Sequence, residues 1–150
     1  MDSIPDDAAA VERSLLRALT WWAAGSVATG AVLWAGGART GRAAVSAFGR
    51  QNLGWGAIDG AIAVVGWGRR RAGAPPSSAS QLRRFLILNA ILDVGYIAGG
   101  VGLILARERL DQRSNYSASQ AVGDGAAVIV QGGFLLVSDV VHARRLAALD

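Results

Sequence analysis

The chain has 150 residues, 52% hydrophobic and 17% charged, with a formal net charge of +4. Soluble domains carry roughly 25% charged residues, so this composition argues against an ordinary soluble domain, and the length suits one domain over residues 1–150. The absence of cysteine excludes disulfides, thiolate metal sites and S-acylation, and a single histidine leaves no basis for zinc, copper or haem ligation, so no cofactor is expected.

Residues 1–19 open with Asp2, Asp6 and Asp7 around Pro5, a helix-start pattern. Val11, Leu15 and Leu19 then recur at helical spacing, with Arg13 and Arg17 between them, which predicts an amphipathic helix running into a first span at 18–38. A secretory signal peptide is the rival reading. The acidic start and long apolar run count against it, although residues 35–38 (AGGA) resemble a cleavage site. Trp21, Trp22 and Trp34 lie near the ends of this span, where aromatic belts form. Residues 39–50 carry three arginines with Val45 and Phe48, a pattern for a short helix in the membrane interface.

A second span is expected at 51–68, followed by a polar loop with Arg69, Arg70, Arg71, Pro75 and Pro76, in which Ser78 or Ser80 can cap the next helix. The third span, 85–106, reads FLILNAILDVGYIAGGVGLILA. At ~1.5 Å rise per residue it matches the ~30 Å hydrocarbon core of a bilayer. Its polar continuation, RERLDQR, is expected to stay helical to Asn115. A fourth span covers 121–143 and ends at Arg144 and Arg145. The expected fold is all-α: a four-helix transmembrane bundle with an amphipathic N-terminal extension. Spans this apolar all round do not suit a soluble bundle.

All 15 basic residues are arginine, which with the many Ala and Gly points to a high-GC bacterial genome. They fall between the apolar runs, so the expected partner is the lipid bilayer and not nucleic acid. Nine lie in the N-terminus, middle loop and C-terminus, against six in the first and third loops. This favours a cytoplasmic-membrane protein with both termini in the cytoplasm, by a margin that leaves dual topology open. A small bundle has little interior, so a homo-oligomer or a larger membrane complex is expected.

Each of three spans has one polar face. Asn52, Trp55 and Asp59 are spaced i, i+3, i+7, and Asn89, Asp93 and Tyr96 i, i+4, i+7. Asp124, Gln131 and Ser138 are spaced i, i+7, i+14, with Asp139 beside the last. Lipid cannot satisfy such groups, so these faces should turn inward. Asp59 lies 9 residues before Gly68 and Asp93 lies 8 after Phe85. Both should therefore sit ~12–14 Å from the middle-loop side, level with each other. On the same count Asp139 should be level with Asn89 and Asp124 with Asn52, with Gln131 between these layers.

Two carboxylates at one level in low dielectric need a shared proton, a cation or an arginine, and intramembrane carboxylates are candidate functional groups. Asp59 and Asp93 are thus expected to hold a proton, a hard cation or a small amine. Trp55 and Tyr96 beside them offer either cation–π contact or ordinary packing. The amides Asn52, Asn89 and Gln131 also suit structural hydrogen bonds between helices. Gly56-xxx-Gly60 and Gly95-xxx-Gly99 predict close helix approach. His142 is expected at the interface, not as a ligand. No phosphate loop, serine elbow or HExxH occurs.

Gln51, Gly54, Gly56 and Ala57 recur as Gln120, Gly123, Gly125 and Ala126, at the starts of two spans that run the same way. This is the pattern of a parallel two-span repeat, though abundant Gly and Ala produce such echoes by chance. The segments FGRQNLGWGAIDGAIA, LNAILDVGYIAGG and GDGAAVIVQGGFLLVSD resemble small bacterial four-helix membrane proteins grouped as a domain of unknown function. The resemblance covers roughly residues 48–140. It implies the membrane bundle and no activity. Three functions stay open: a carrier or channel-like component using Asp59 and Asp93, a non-catalytic scaffold or accessory subunit whose polar groups specify packing, and a membrane enzyme using the carboxylates with a divalent metal.

Overall fold

The computed structural model describes residues 3–149, with side chains from residue 7 onward. Asp2, and the side chains of Pro5 and Asp6 in the expected helix start, lie outside the described residues. Five helices follow in order: α1 (Ser3–Arg39), α2 (Ala43–Arg71), α3 (Ala79–Leu105), α4 (Arg107–Arg113) and α5 (Ala118–Ala147). No strand occurs among the described residues.

The amphipathic segment and the first expected span form one continuous helix. The 37 residues of α1 reach ~55 Å at ~1.5 Å per residue. The separate interfacial helix expected over 39–50 does not exist as such: its residues from Ala43 onward are the first turns of α2. α3 begins where Ser78 accepts a hydrogen bond from the Gln81 amide at 3.3 Å. The RERLDQR segment is also not a continuation of α3. The chain turns at Ala106, and α4 ends at Arg113, short of Asn115. α5 starts on a capping box: the Gln120 amide donates to Ser117 Oγ at 3.2 Å and the Ser117 amide to Gln120 Oε1 at 2.9 Å.

The four long helices pack as two antiparallel hairpins, α1 with α2 and α3 with α5, joined through parallel contact of α2 with α5. Glycines set the approach. A methyl on Gly49 would meet the Gly30 carbonyl oxygen at 2.7 Å, and one on Gly125 would meet the Gly100 oxygen at 2.6 Å. The repeat-related Gly56 and Gly125 therefore do the same job: each lies against the preceding long helix, at Ser26 and Val27 in one case and Gly100 in the other. Gly95 and Gly99, expected to bring helices together, instead face open space. Gly100 lies one residue round the helix from Gly99, on the side that α5 covers.

At one end Ala8 of α1 joins Leu82 and Leu86 of α3 and Ala143 and Leu146 of α5 in a buried apolar cluster, flanked by Val11 and Leu15. The N-terminal part of α1 is thereby packed on the ends of α3 and α5. Glu12 adds an ion pair to Arg70 of α2 at 3.6 Å.

Burial is inverted relative to a soluble protein. Trp21, Ile62, Val64, Leu88, Ile91 and Leu105 are exposed, while Ser26, Asn52, Asp59, Asp93, Asp124, Gln131, Asp139 and His142 are buried. Two described helices, α3 and α5, are long and apolar enough to cross a membrane, and only 11% of the most apolar stretch of α3 is buried. The expected spans 18–38 and 51–68 lie in α1 and α2, where Trp, Thr, Ser and Gly dilute the apolar character.

The Gly125→Ala variant should lower thermal stability by ~1–3 kcal/mol, the usual cost of forcing atoms into a closed contact. Gly95→Ala, into open space, should be neutral or slightly stabilising, because alanine is the better helix former by up to ~1 kcal/mol. Helix-signal melting curves of the two variants check this, and equal losses would contradict the glycine assignments.

Candidate functional site

The buried polar residues form three successive layers. The first surrounds Asp124, near the start of α5. Arg50 Nη2 lies 3.3 Å from Asp124 Oδ1 and 3.1 Å from Oδ2, and the Tyr116 hydroxyl donates to Oδ2. Asp124 is therefore a partnered carboxylate. Burial, then the bond to Asp124 and its charge, push the Tyr116 hydroxyl well above its ordinary value of 10.0, partly offset by the Arg50 charge.

The second layer centres on Gln131. Its Oε1 accepts from Trp22 Nε1 at 2.5 Å. Its Nε2 donates to Asn52 Oδ1 at 2.6 Å and to Ser26 Oγ at 3.1 Å. Asn52 Nδ2 reaches on to Thr29 Oγ1 at 3.4 Å. Trp22 also stacks on Phe134 with ring centres 3.9 Å apart. α1, α2 and α5 thus converge on one amide.

The third layer holds carboxyls without such closure. Asp59, Asp93 and Asp139 are buried and lie near one another. Asn89 of α3 lies near Asp139. Oδ2 of Asp59 and Oδ2 of Asp93 are buried with no hydrogen-bond partner, in residues each only 3% exposed. Beyond this layer His142 is buried, where interfacial exposure was expected. Nδ1–H donates to the Ser138 carbonyl at 2.7 Å, which leaves Nε2 to accept from Ser14 Oγ at 3.3 Å.

The structure corrects the expected depth register. Asn52 meets Gln131, not Asp124, and Gly123 lies against Ala44. The displacement between Asp124 and Gln131 is seven residues, about two turns or ~10 Å. Its cause is the early start of α2: hydropathy places the span at Gln51, but the helix and its contact with α5 begin at Ala43. Continuing the same register places Asp59 beside Ser138 and Asp139. Asp139 therefore joins the Asp59 and Asp93 layer, and lies near Asn89.

Trp55 and Tyr96 pack edge to face with ring centres 5.2 Å apart. Together with Val128, Gln131, Gly132 and Leu135 they close off the space between them. Among the described residues no group of three or more His, Cys, Asp or Glu is arranged to hold a metal ion.

Sequence reading assigned Trp22 to an aromatic belt and left Ser26 and Thr29 out of the polar column. They are spaced i, i+4, i+7 on α1, the same signal that marks the other polar faces. It also missed Arg50, whose long side chain reaches from outside the expected span to Asp124.

The family described as a family of unknown function (DUF6992) matches residues 18–140, and the chain belongs to it. No curated protein and no solved structure matches the chain.

Replacing Gln131 with Leu strands the Trp22, Ser26 and Asn52 groups. It should cost ~1–3 kcal/mol, the usual penalty for unsatisfied buried partners, read as a lower melting temperature. The bond from Tyr116 stabilises the fold below the ordinary tyrosine value and is lost as pH rises through the higher folded value. An alkaline titration of tyrosinate absorbance should show a late phase that Tyr116→Phe removes. Persistence of that phase in the variant would contradict the assignment.

Proposed function

Starting from a family that carries no assigned activity, we propose that this chain is a four-helix integral membrane protein of the cytoplasmic membrane whose Asp59, Asp93 and Asp139 bind a transferable proton. It would act as a carrier or channel-like component, alone as an oligomer or within a larger membrane complex. Both termini would lie in the cytoplasm, as the arginine distribution favours. The membrane part of the reading is supported by α3, which leaves nearly all its apolar stretch uncovered where a soluble core helix would bury it.

The observation that carries the proton reading is the pair of unpartnered, buried oxygens on Asp59 and Asp93. Native structures leave few buried polar atoms unsatisfied, and in hydrocarbon such groups mark proton and ion paths. Of the three ligands the residues allow, a proton fits best. It needs no cavity, and a proton shared between two carboxyls of one layer gives both a partner. A hard cation asks for six or more oxygens, and an amine needs room beside the closed Trp55–Tyr96 pair.

The second reading is a scaffold, and the Gln131 hub favours it for its own layer: both the oxygen and the nitrogen of that amide are engaged in holding α1, α2 and α5 together. The two readings make different demands on the layers. Reconstituted into vesicles loaded with a pH-sensitive dye, the wild type should dissipate an imposed pH gradient. Asp59→Asn and Asp93→Asn should slow it tenfold or more while leaving helix content and melting unchanged. Infrared spectra should lose a protonated-carboxyl band in the same variants. Undiminished flux in both variants would reject these carboxyls, and a wild type that moves no protons would leave the scaffold.

A further inference from the structure

Between α3 and α5 runs a cleft of about 390 Å³. Its walls are Ile87, Ile91 and Val94 on one side and Leu136 and Val140 on the other. Arg83 and Arg144 stand at one end, and Asp139 contributes to the lining. Three features define what such a cleft accepts.

The first is shape and polarity. Ile87, Ile91 and Val94 recur at i, i+4, i+7 along α3, giving a strip that follows the helix axis. All three remain exposed. An extended hydrocarbon chain fits such a strip, and a compact polar solute does not.

The second is charge. Arg83 precedes Phe85, where the apolar stretch of α3 begins, and Arg144 follows the apolar body of α5 by one turn. Because the two helices are antiparallel, both guanidinium groups come to the same end of the cleft. That end is where the hydrocarbon gives way to headgroups. Arg84 and Arg145, both exposed, add positive charge at the same level. Guanidinium binds phosphate through paired N–H donors. Each presents five such donors, so contact with a phosphate adds to whatever bonds it already makes.

The third is the pairing of the two. A free phosphate would use the arginines and leave the apolar strip bare. A plain fatty chain would use the strip and leave the charges idle. A molecule with an anionic phosphate at one end and an acyl chain at the other uses both.

We propose that the α3/α5 cleft is a binding site for one anionic phospholipid, with an acyl chain laid along Ile87, Ile91, Val94, Leu136 and Val140 and its phosphate held by Arg83 and Arg144. The inference rests on the membrane reading above and extends it to a defined lipid. It also gives the cleft a relation to the carboxyl layer. A chain lying there covers Asp139, so lipid occupancy and access to that carboxyl from the cleft are mutually exclusive.

The test uses the full chain in lipid nanodiscs of equal parts phosphatidylglycerol and phosphatidylcholine. Native mass spectrometry of the released protein reads which lipids stay bound. The wild type should retain one phosphatidylglycerol, favoured over phosphatidylcholine fivefold or more. Arg144→Gln, at an exposed position, should reduce that preference at least threefold, and R83Q/R144Q should abolish it. Ala90→Trp, which fills the cleft, should remove bound lipid of either kind while the protein keeps its helix content and floats with vesicles. Equal retention in R83Q/R144Q, or an Ala90→Trp variant that still holds phosphatidylglycerol, overturns the site. A wild type that floats with vesicles and retains no lipid rejects the site and leaves the membrane reading standing. A wild type that stays in the aqueous fraction rejects both.

Discussion

Three of the four long helices are tied at a single amide. Gln131 of α5 accepts from Trp22, donates to Ser26 and donates to Asn52, so α1, α2 and α5 are held at one height relative to one another. An amide has two acceptor sites and two donors, and three of the four are spoken for by named partners. Sliding any helix by a turn would break several of these bonds at once. In an apolar setting no water replaces them.

That height decides the rest of the interior. Asn52 against Gln131 continues as Ala44 against Gly123 in one direction, where Arg50 can reach Asp124. In the other direction it brings Asp59 to the turn of α5 that carries Asp139. α3 then completes the layer with Asp93 and Asn89. The polar column is therefore not uniform. One end is closed by an arginine and a tyrosine and the middle by an amide network. The remaining layer contains Asp59 and Asp93, each with one buried oxygen that has no protein partner. If the function is proton binding, that contrast separates the groups that build the fold from the groups that it exposes to chemistry.

The same packing explains the bare outer surface. Gly30, Gly49, Gly100 and Gly125 let the paired helices approach until backbone meets backbone. Close contact of small residues leaves little space inside for large apolar side chains, and these are turned outward instead. Small-residue interfaces of this kind suit helix association in lipid, where large apolar groups gain nothing by leaving the solvent. At the end where α1 overlaps α3 and α5 a conventional apolar cluster forms, around Leu82, Leu86 and Leu146.

Much of this was legible in the sequence. Long apolar runs marked α3 and α5, and helical spacing put Asn52 with Asp59 on one face and Asn89 with Asp93 on another, because a helix has a fixed period. The serines before α3 were a capping signal of the ordinary kind, and Ser78 is the one that caps it. Register was another matter. Hydropathy reports where lipid-compatible residues begin and not where a helix begins, so α2 was read as starting eight residues late and its partners were displaced by two turns. Which glycine carries a close contact was equally hidden, since Gly99 and Gly100 look alike in sequence and differ only in which side of α3 they occupy. The chain by itself determined its helices, their polar faces and their apolar coats, all consequences of local period and composition. Only tertiary packing decided which acids share a layer, which are paired and which are left without partners, because those depend on how far one helix slides along another.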